Sequence, residues 1–162
     1  NAPKYTTSTG TDRYRRGIYT VWRRSAPYAS FTNFDAPDRA ACVVRRARTN
    51  TPLQALTLLN DVAFLEMARA FGERIHSLKS GSRDEKILFA FQSAVSRQPT
   101  ARELKILQEV FESELTKFKQ NNEHARQIVS EAQQSTKDVS ELAAWIQIGH
   151  ILLNLDETIS KS

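Results

Sequence analysis

The residues with the clearest chemical potential are arginines leading into a helix start. Arg39, Arg45, Arg46 and Arg48 precede Asn50-Thr51-Pro52. Thr is a favoured N-cap, and Pro suits the first helical position because its missing N–H would be unsatisfied there anyway. A helix start presents unpaired N–H groups and a partial positive charge. Guanidinium forks beside it add planar donors suited to carboxylate, phosphate or sulfate. Arg45, Arg46, Arg48, Asn50, Thr51 and Gln54 are therefore the candidate anion-binding residues. The same arginines have an internal alternative: pairing with Asp35, Asp38, Asp61 or main-chain carbonyls would pin the preceding loop.

Carboxylates give a second, weaker set. Asp35 and Asp38 flank Ala36-Pro37. Two carboxylates three residues apart can share a hard cation, but Asp-x-Pro-Asp is more commonly a turn whose side chains bond their own backbone. Asp35, Asp38 and Asp61 are the acid–base candidates if another domain completes an enzyme site with this chain; no catalytic residue is assigned. Asn60-Asp61 interrupts an otherwise helical pattern, and Leu152-Leu153-Asn154-Leu155-Asp156 echoes Leu58-Leu59-Asn60-Asp61. If both copies face inward, two Asn/Asp pairs meet in a buried polar network.

Other chemistries find little support. The three histidines, His76, His124 and His150, fall in no local hydrolase motif. There is no His-x-x-x-His, no Cys-x-x-Cys and no acidic calcium loop, so no metal site is expected. Without Cys-x-x-Cys-His, this segment attaches no c-type haem itself, and no cofactor is expected within it. Five scattered glycines make no phosphate-binding loop. Cys42, between Ala41 and Val43, reads as a buried small hydrophobe. The strip from Arg13 to Arg24 interleaves arginines with Tyr14, Tyr19 and Trp22, a composition able to neutralise phosphates and stack bases, but no helix-turn-helix or zinc-finger signature accompanies it.

The elements that must position these groups follow from patterning. The 162 residues are 40% hydrophobic and 25% charged, with a net charge of +5. Such a composition supports a packed core and excludes low-complexity disorder. No apolar run approaches the roughly 20 residues of a membrane helix. Residues 1–50 hold ten Lys+Arg against three Asp+Glu; residues 51–162 hold 13 against 15. The spacing predicts one long helix from Thr51-Pro52 to a stop at Ser80-Gly81, its inner face running Leu53, Leu56, Asn60, Ala63, Phe64, Met67, Phe71, Ile75 and Leu78. Ser82-Arg83-Asp84-Glu85 and Thr100-Ala101-Arg102-Glu103 are capping boxes opening two more helices, with stripes Ile87, Leu88, Phe91, Ala94, Val95 and Leu104, Leu107, Phe111, Leu115, Phe118. Asn121-Asn122 caps a weaker helix with Ala125, Ile128, Val129 and Ala132. Asp138-Val139-Ser140-Glu141 opens the last, with Leu142, Trp145, Gly149, Leu152 and Leu155. Asp12 caps a helix turning Tyr14, Ile18, Val21 and Trp22 inward, with a β-strand over Ile18–Trp22 as the alternative. From Ala26 to Arg48 no period exists, and Pro27 and Pro37 argue for an extended segment. The expected fold is mostly α: a bundle of about five or six helices with a long irregular N-terminal segment. Residues 1–50 form the basic, aromatic-rich segment packed on the bundle of 51–162, together one domain.

Four blocks carry a family resemblance: Tyr14–Arg24, Phe34–Arg39, Cys42–Asp61 and Leu152–Glu157. The longest contains Arg-Thr-Asn-Thr-Pro-Leu-Gln-Ala-Leu at residues 48–56. Together they resemble the planctomycete-specific C-terminal domain of unknown function found in large secreted proteins, from about Asp12 to Ser160, with a variable loop near Gln133–Lys137. The resemblance implies an exported location, periplasmic or extracellular, and the C-terminal piece of a larger protein. It implies upstream domains of the same polypeptide as partners, and in many members a cytochrome-c-like module, so that the parent protein would carry c-type haem. Acidic polysaccharide fits as a ligand of such a polysaccharide-degrading or redox-linked system; nucleic-acid binding through the Arg13–Arg24 strip stays as an alternative that an exported location weakens. The resemblance assigns no catalytic residue.

Overall fold

Side-chain caps set the helix boundaries in a computed structural model, which describes residues 6, 8–23, 26–78, 81–129 and 138–160. Eight α-helices are present among the described residues: α1 (Ala29–Asn33), α2 (Pro52–Asn60), α3 (Val62–His76), α4 (Arg83–Val95), α5 (Ala101–Gln120), α6 (Asn122–Ile128), α7 (Val139–Leu153) and α8 (Asp156–Ile159). Two 3-10 turns, Gly10–Tyr14 and Gly17–Tyr19, precede them, and there is no strand among the described residues. The chain is mostly α with an irregular N-terminal segment, as the patterning predicts. No helix among the described residues is long and apolar enough to cross a membrane. The chain divides within α2 into two compact units, Asn1–Thr57 and Leu58–Ser162.

In the second unit both expected capping boxes form. The Ser82 hydroxyl accepts from the Glu85 N–H while Glu85 accepts from the Ser82 N–H, and Thr100 and Glu103 do the same at the start of α5. Asn121 caps α6 by accepting from the His124 N–H. Helix α7 starts at Val139, but the Asp138 side chain makes no capping hydrogen bond, unlike the expected box. Basic side chains satisfy two helix ends: Lys86 Nζ donates to the His76 carbonyl at 3.0 Å, and Arg69 Nε to the Ile128 carbonyl at 2.7 Å.

Helix α7 is the centre of this unit. Nine of its 15 residues are buried. A helix apolar on nearly all sides must be surrounded, and α3, α4, α5, α6 and α8 all pack on it. The α5 stripe Leu107, Phe111, Leu115 and Phe118 is buried as expected, and Phe111 lies 4.3 Å from the Trp145 ring centroid. Helix α3 approaches through glycine: a Cβ on Gly72 would stand 2.5 Å from Ile146 Cα.

The single long helix expected from Thr51 to Leu78 is instead two. Asp61 is extended (φ −69°, ψ 134°) and its carboxylate accepts from the Ala63 N–H, restarting the helix as its N-cap. Within α3, Ile75 of the expected stripe is buried and Phe71 packs on the core, beside buried Ala68 and Gly72, whereas Leu53, Leu56 and Met67 of the stripe are exposed. The Asn/Asp echo forms no buried network either, because Asn60, Asp61 and Asp156 are exposed. Ser80, Ala132 and the loop at 133–137 lie outside the described residues.

The α4–α5 connection carries an ion triad. Arg97 donates two bonds to Glu103 (2.7 and 3.0 Å) and two to Glu157 at the start of α8 (2.8 and 2.9 Å). The two bonds from Arg97, with the Thr100 N–H and hydroxyl, hold the Glu103 carboxyl down to about 2.

Candidate functional site

The spacing Thr51-x-x-Gln54 builds a polar knot within the first unit. Helix α1 ends with Ala36 N–H donating to the Phe31 carbonyl at 2.8 Å, and this turn places Asp35 in the left-handed region (φ 57°). Asp tolerates that conformation better than most residues. Its carboxylate thereby faces Thr49, accepting from the N–H at 2.7 Å and from the hydroxyl at 2.8 Å. Gln54 is buried and fully used. Its Nε2 donates to the Asn33 carbonyl (2.8 Å) and to Thr49 Oγ1 (3.0 Å). Its Oε1 accepts from the Thr51 N–H (3.1 Å), and its own N–H donates to Thr51 Oγ1 (3.2 Å). That reciprocal pair is a capping box in which Gln replaces Glu. Asn33 Nδ2 closes the knot by donating to Thr57 Oγ1 at 2.8 Å.

The Thr49 hydrogen bonds hold the Asp35 carboxyl below its ordinary value, with Gln54 and the Arg46 charge adding to the effect. Because the value is depressed in the folded chain, the stabilisation is complete above the ordinary carboxylate range. It is lost as pH falls through the depressed value. Asp35→Asn should therefore lower the melting temperature at neutral pH and flatten the acid limb of the stability curve. Thermal melts from neutral to acid pH check this; an unchanged acid limb would remove Asp35 as the anchor.

The predicted site residues divide sharply. Arg46 is spent internally: Nε donates to the Asp35 carbonyl at 2.8 Å and Nη2 to the Phe34 carbonyl. Thr51 and Gln54 consume two of the α2 N-terminal donors. Arg45, Arg48 and Asn50 are exposed, and neither Arg45 nor Arg48 has a polar partner among the described residues. Of the secondary candidates, Asp38 accepts from the Ala40 N–H at 2.9 Å, an Asx turn, and Asp61 caps α3. Asn60 ends α2 as an exposed residue. All three acid–base candidates thus accept from main-chain N–H groups: Asp35 from Thr49, Asp38 from Ala40 and Asp61 from Ala63.

The Arg13–Arg24 strip is not the expected helix. Tyr14, Ile18 and Val21 are exposed, and the backbone makes the two 3-10 turns instead. Gly17 explains part of this: a Cβ there would lie 2.7 Å from Phe31 Cε1, so the chain passes against that ring. Trp22 stacks on Phe31 at 5.0 Å with planes 16° apart, Tyr28 meets Phe31 edge-on, and the Arg39 guanidinium sits 4.8 Å from the Trp22 ring centroid. Arg15 pairs with Asp12 at 2.8 Å. Arg24 lies outside the described residues. Cys42 is exposed rather than buried, because none of residues 40–50 is sheltered. No hydrophobic side chain of this unit is buried among the described residues. The aromatic stack and the knot order it instead. Sequence reasoning missed Asn33 and Thr49 as knot members, and the Arg39–Trp22 contact. Thr51 as the N-cap of α2 was the legible part; Gln54 was expected to face a ligand, and instead it is buried in the knot.

A family model described as PSD1, protein of unknown function (DUF1553), matches residues 1–111, which include the whole knot, α4 and half of α5. No curated protein and no solved structure matches the chain. On the extent of that match, the chain belongs to the PSD1 family of proteins of unknown function.

Proposed function

We propose that the chain is a docking or ligand-binding module of an exported multidomain protein, with an acidic-ligand surface beside the start of α2, suited to sulfated or carboxylated glycans. The observation that carries this reading is the unequal use of the arginines. Arg46 holds the loop to Phe34 and Asp35, while Arg45 and Arg48 on either side of it stay exposed. The knot therefore fixes the loop without using up its charge. Val43, Val44, Leu53 and Leu56 are exposed in the same unit, and basic residues mixed with exposed apolar ones suit a contact surface. Asn50 completes the surface as a neutral donor. Thr51 and Gln54 support it from inside rather than touching a ligand.

The test is a thermal-shift panel on the whole chain with a heparin-like sulfated glycan, a neutral glycan and duplex DNA, at low and moderate salt. A ligand at a hundred times its dissociation constant stabilises by about 2.7 kcal/mol. The expected result is a shift with the sulfated glycan alone that survives moderate salt and disappears in Arg45→Ala/Arg48→Ala. Both side chains are exposed, so the double variant should melt as the parent does without ligand. No shift with any glycan, or an equal shift in the variant, overturns the reading. A shift with DNA matching that of the glycan would mean charge alone is recognised.

A further inference from the structure

In the first unit Gly17 and Trp22 both rest on the Phe31 ring. A Cβ on Gly17 would stand 2.7 Å from Phe31 Cε1, and Trp22 stacks on Phe31 at 5.0 Å. The four residues between these anchors form an exposed arch. Two main-chain bonds brace it: the Tyr19 N–H donates to the Arg16 carbonyl at 3.0 Å and the Thr20 N–H to the Gly17 carbonyl at 3.1 Å. The arch holds Ile18, Tyr19 and Val21 in solvent, at 77%, 65% and 67% exposure. Single exposed apolar residues are ordinary on a surface, but three on one braced arch make a concentrated apolar tip. Positive charge surrounds it. Arg16 precedes Gly17, and the Arg39 guanidinium lies 4.8 Å from the Trp22 ring centroid. Both arginines are exposed, and neither has a carboxylate partner among the described residues. The described residues of this unit carry eight arginines against three aspartates, a surplus of five. The aspartates are already engaged: Asp12 pairs with Arg15, Asp35 accepts from Thr49 and Asp38 from the Ala40 N–H.

We propose that this arch inserts into an anionic phospholipid surface, with Arg16 and Arg39 on the lipid phosphates. Guanidinium forks suit phosphate oxygens, and each cation near an anionic membrane adds to binding. Ile18 and Val21 enter the boundary between headgroups and acyl chains, and Tyr19 matches the interfacial level where tyrosine concentrates. Other occupants fit less. Two copies meeting at this arch would oppose their arginines. A soluble polyanion would use the arginines but leave Ile18 and Val21 in water. A nucleic-acid base would stack on Trp22, where Phe31 and Arg39 already pack. A protein partner needs a pocket shaped to the arch, whereas a fluid bilayer needs no match of shape. The assignment uses neither Arg45 nor Arg48, so it stands or falls separately from the glycan surface.

Flotation of the whole chain with vesicles tests the proposal, using phosphatidylcholine alone and an equal mixture of phosphatidylcholine and phosphatidylglycerol. The mixed vesicles should bind the chain about tenfold or more tightly than the neutral ones. Arg16→Ala should weaken that binding about fivefold, the effect of one cation near an anionic surface. Ile18→Ser/Val21→Ser should weaken it by about tenfold or more, because several inserted methylene groups are lost. Ile18→Leu/Val21→Leu keeps the tip apolar and should retain binding. All of these side chains are exposed, so melting without vesicles should not change. The serine variant should also keep the thermal shift with sulfated glycan, which separates failure of this assignment from failure of the glycan reading. No flotation with mixed vesicles, equal binding to neutral ones, or binding unchanged in the serine variant overturns the assignment. The first result would leave the arch to a protein partner, and the last would mean that charge alone is recognised.

Discussion

Trp145→Ala should cost about 3–5 kcal/mol, the range for deleting a large buried aromatic side chain. Trp145 has no exposed surface and is the largest fully buried side chain of the core. It touches the Phe111 ring at a 4.3 Å centroid separation, its Nε1 donates to Glu141, and Lys86 Nζ lies 5.8 Å from its ring centroid. Removing it leaves a cavity at the centre of the helix that every other helix of the unit packs on, so collapse around the gap is restricted. For a chain of this length each kcal/mol lowers Tm by about 2–4 °C, which predicts a drop of roughly 6–20 °C. Trp145→Phe keeps most of the packing and loses the Nε1 hydrogen bond, so it should fall well short of that. Urea unfolding of both variants measures the difference. If Trp145→Ala lost under about 1 kcal/mol, the typical scale of an ordinary point substitution, α7 would not be the core helix described here.

Gly72→Leu should prevent the second unit from folding, and Gly72→Ala should destabilise it by about 1–3 kcal/mol, the usual cost of overpacking. Two effects compete at this position. Replacing a mid-helix glycine by alanine gains about 0.5–1 kcal/mol from helix propensity. Against that, a Cβ at Gly72 would meet Ile146 Cα at 2.5 Å, Ile146 Cγ1 at 2.6 Å and Ile146 N at 2.7 Å. Two of these three atoms are backbone, so no rotamer change relieves the contact; α3 and α7 must separate. The clash wins. At Gly149 the nearest atom is Phe71 Cδ1, at 3.2 Å, followed by the Ala68 carbonyl oxygen at 3.3 Å. Gly149→Ala should therefore cost less than Gly72→Ala. Chemical denaturation of the two alanine variants orders them, and the reverse order would contradict the crossing geometry.

Local hydrogen bonding and periodicity made much of the second unit legible. The boxes at Ser82/Glu85 and Thr100/Glu103 each need only residues three apart, so the starts of α4 and α5 could be read directly. The α5 stripe was readable for a similar reason: Leu107, Phe111, Leu115 and Phe118 recur at helical spacing. At Asp61 two local rules conflicted. The apolar period ran on, while the side chain favoured a cap, and a carboxylate bonded to the Ala63 N–H won over helix continuity. In the first unit periodicity had no purchase. Its order comes from Trp22 on Phe31 and from Asp35 reaching Thr49 across 14 residues of chain.

The candidate site shows the same division. By itself the sequence determined that arginines crowd the start of α2, that Thr51 can cap it, and that three of the family blocks, Tyr14–Arg24, Phe34–Arg39 and Cys42–Asp61, lie within the residues that the family model matches. It could not determine which arginine is internal. That depended on the left-handed turn at Asp35, which aims two main-chain carbonyls at Arg46 and leaves Arg45 and Arg48 exposed. Nor did it place Ile18 and Val21 outward, which follows from Gly17 and Trp22 both resting on Phe31. Caps and stripes are interactions between near neighbours, so a linear pattern records them. Which charges remain unspent depends on partners brought together only when helices pack, and only the tertiary structure decides that.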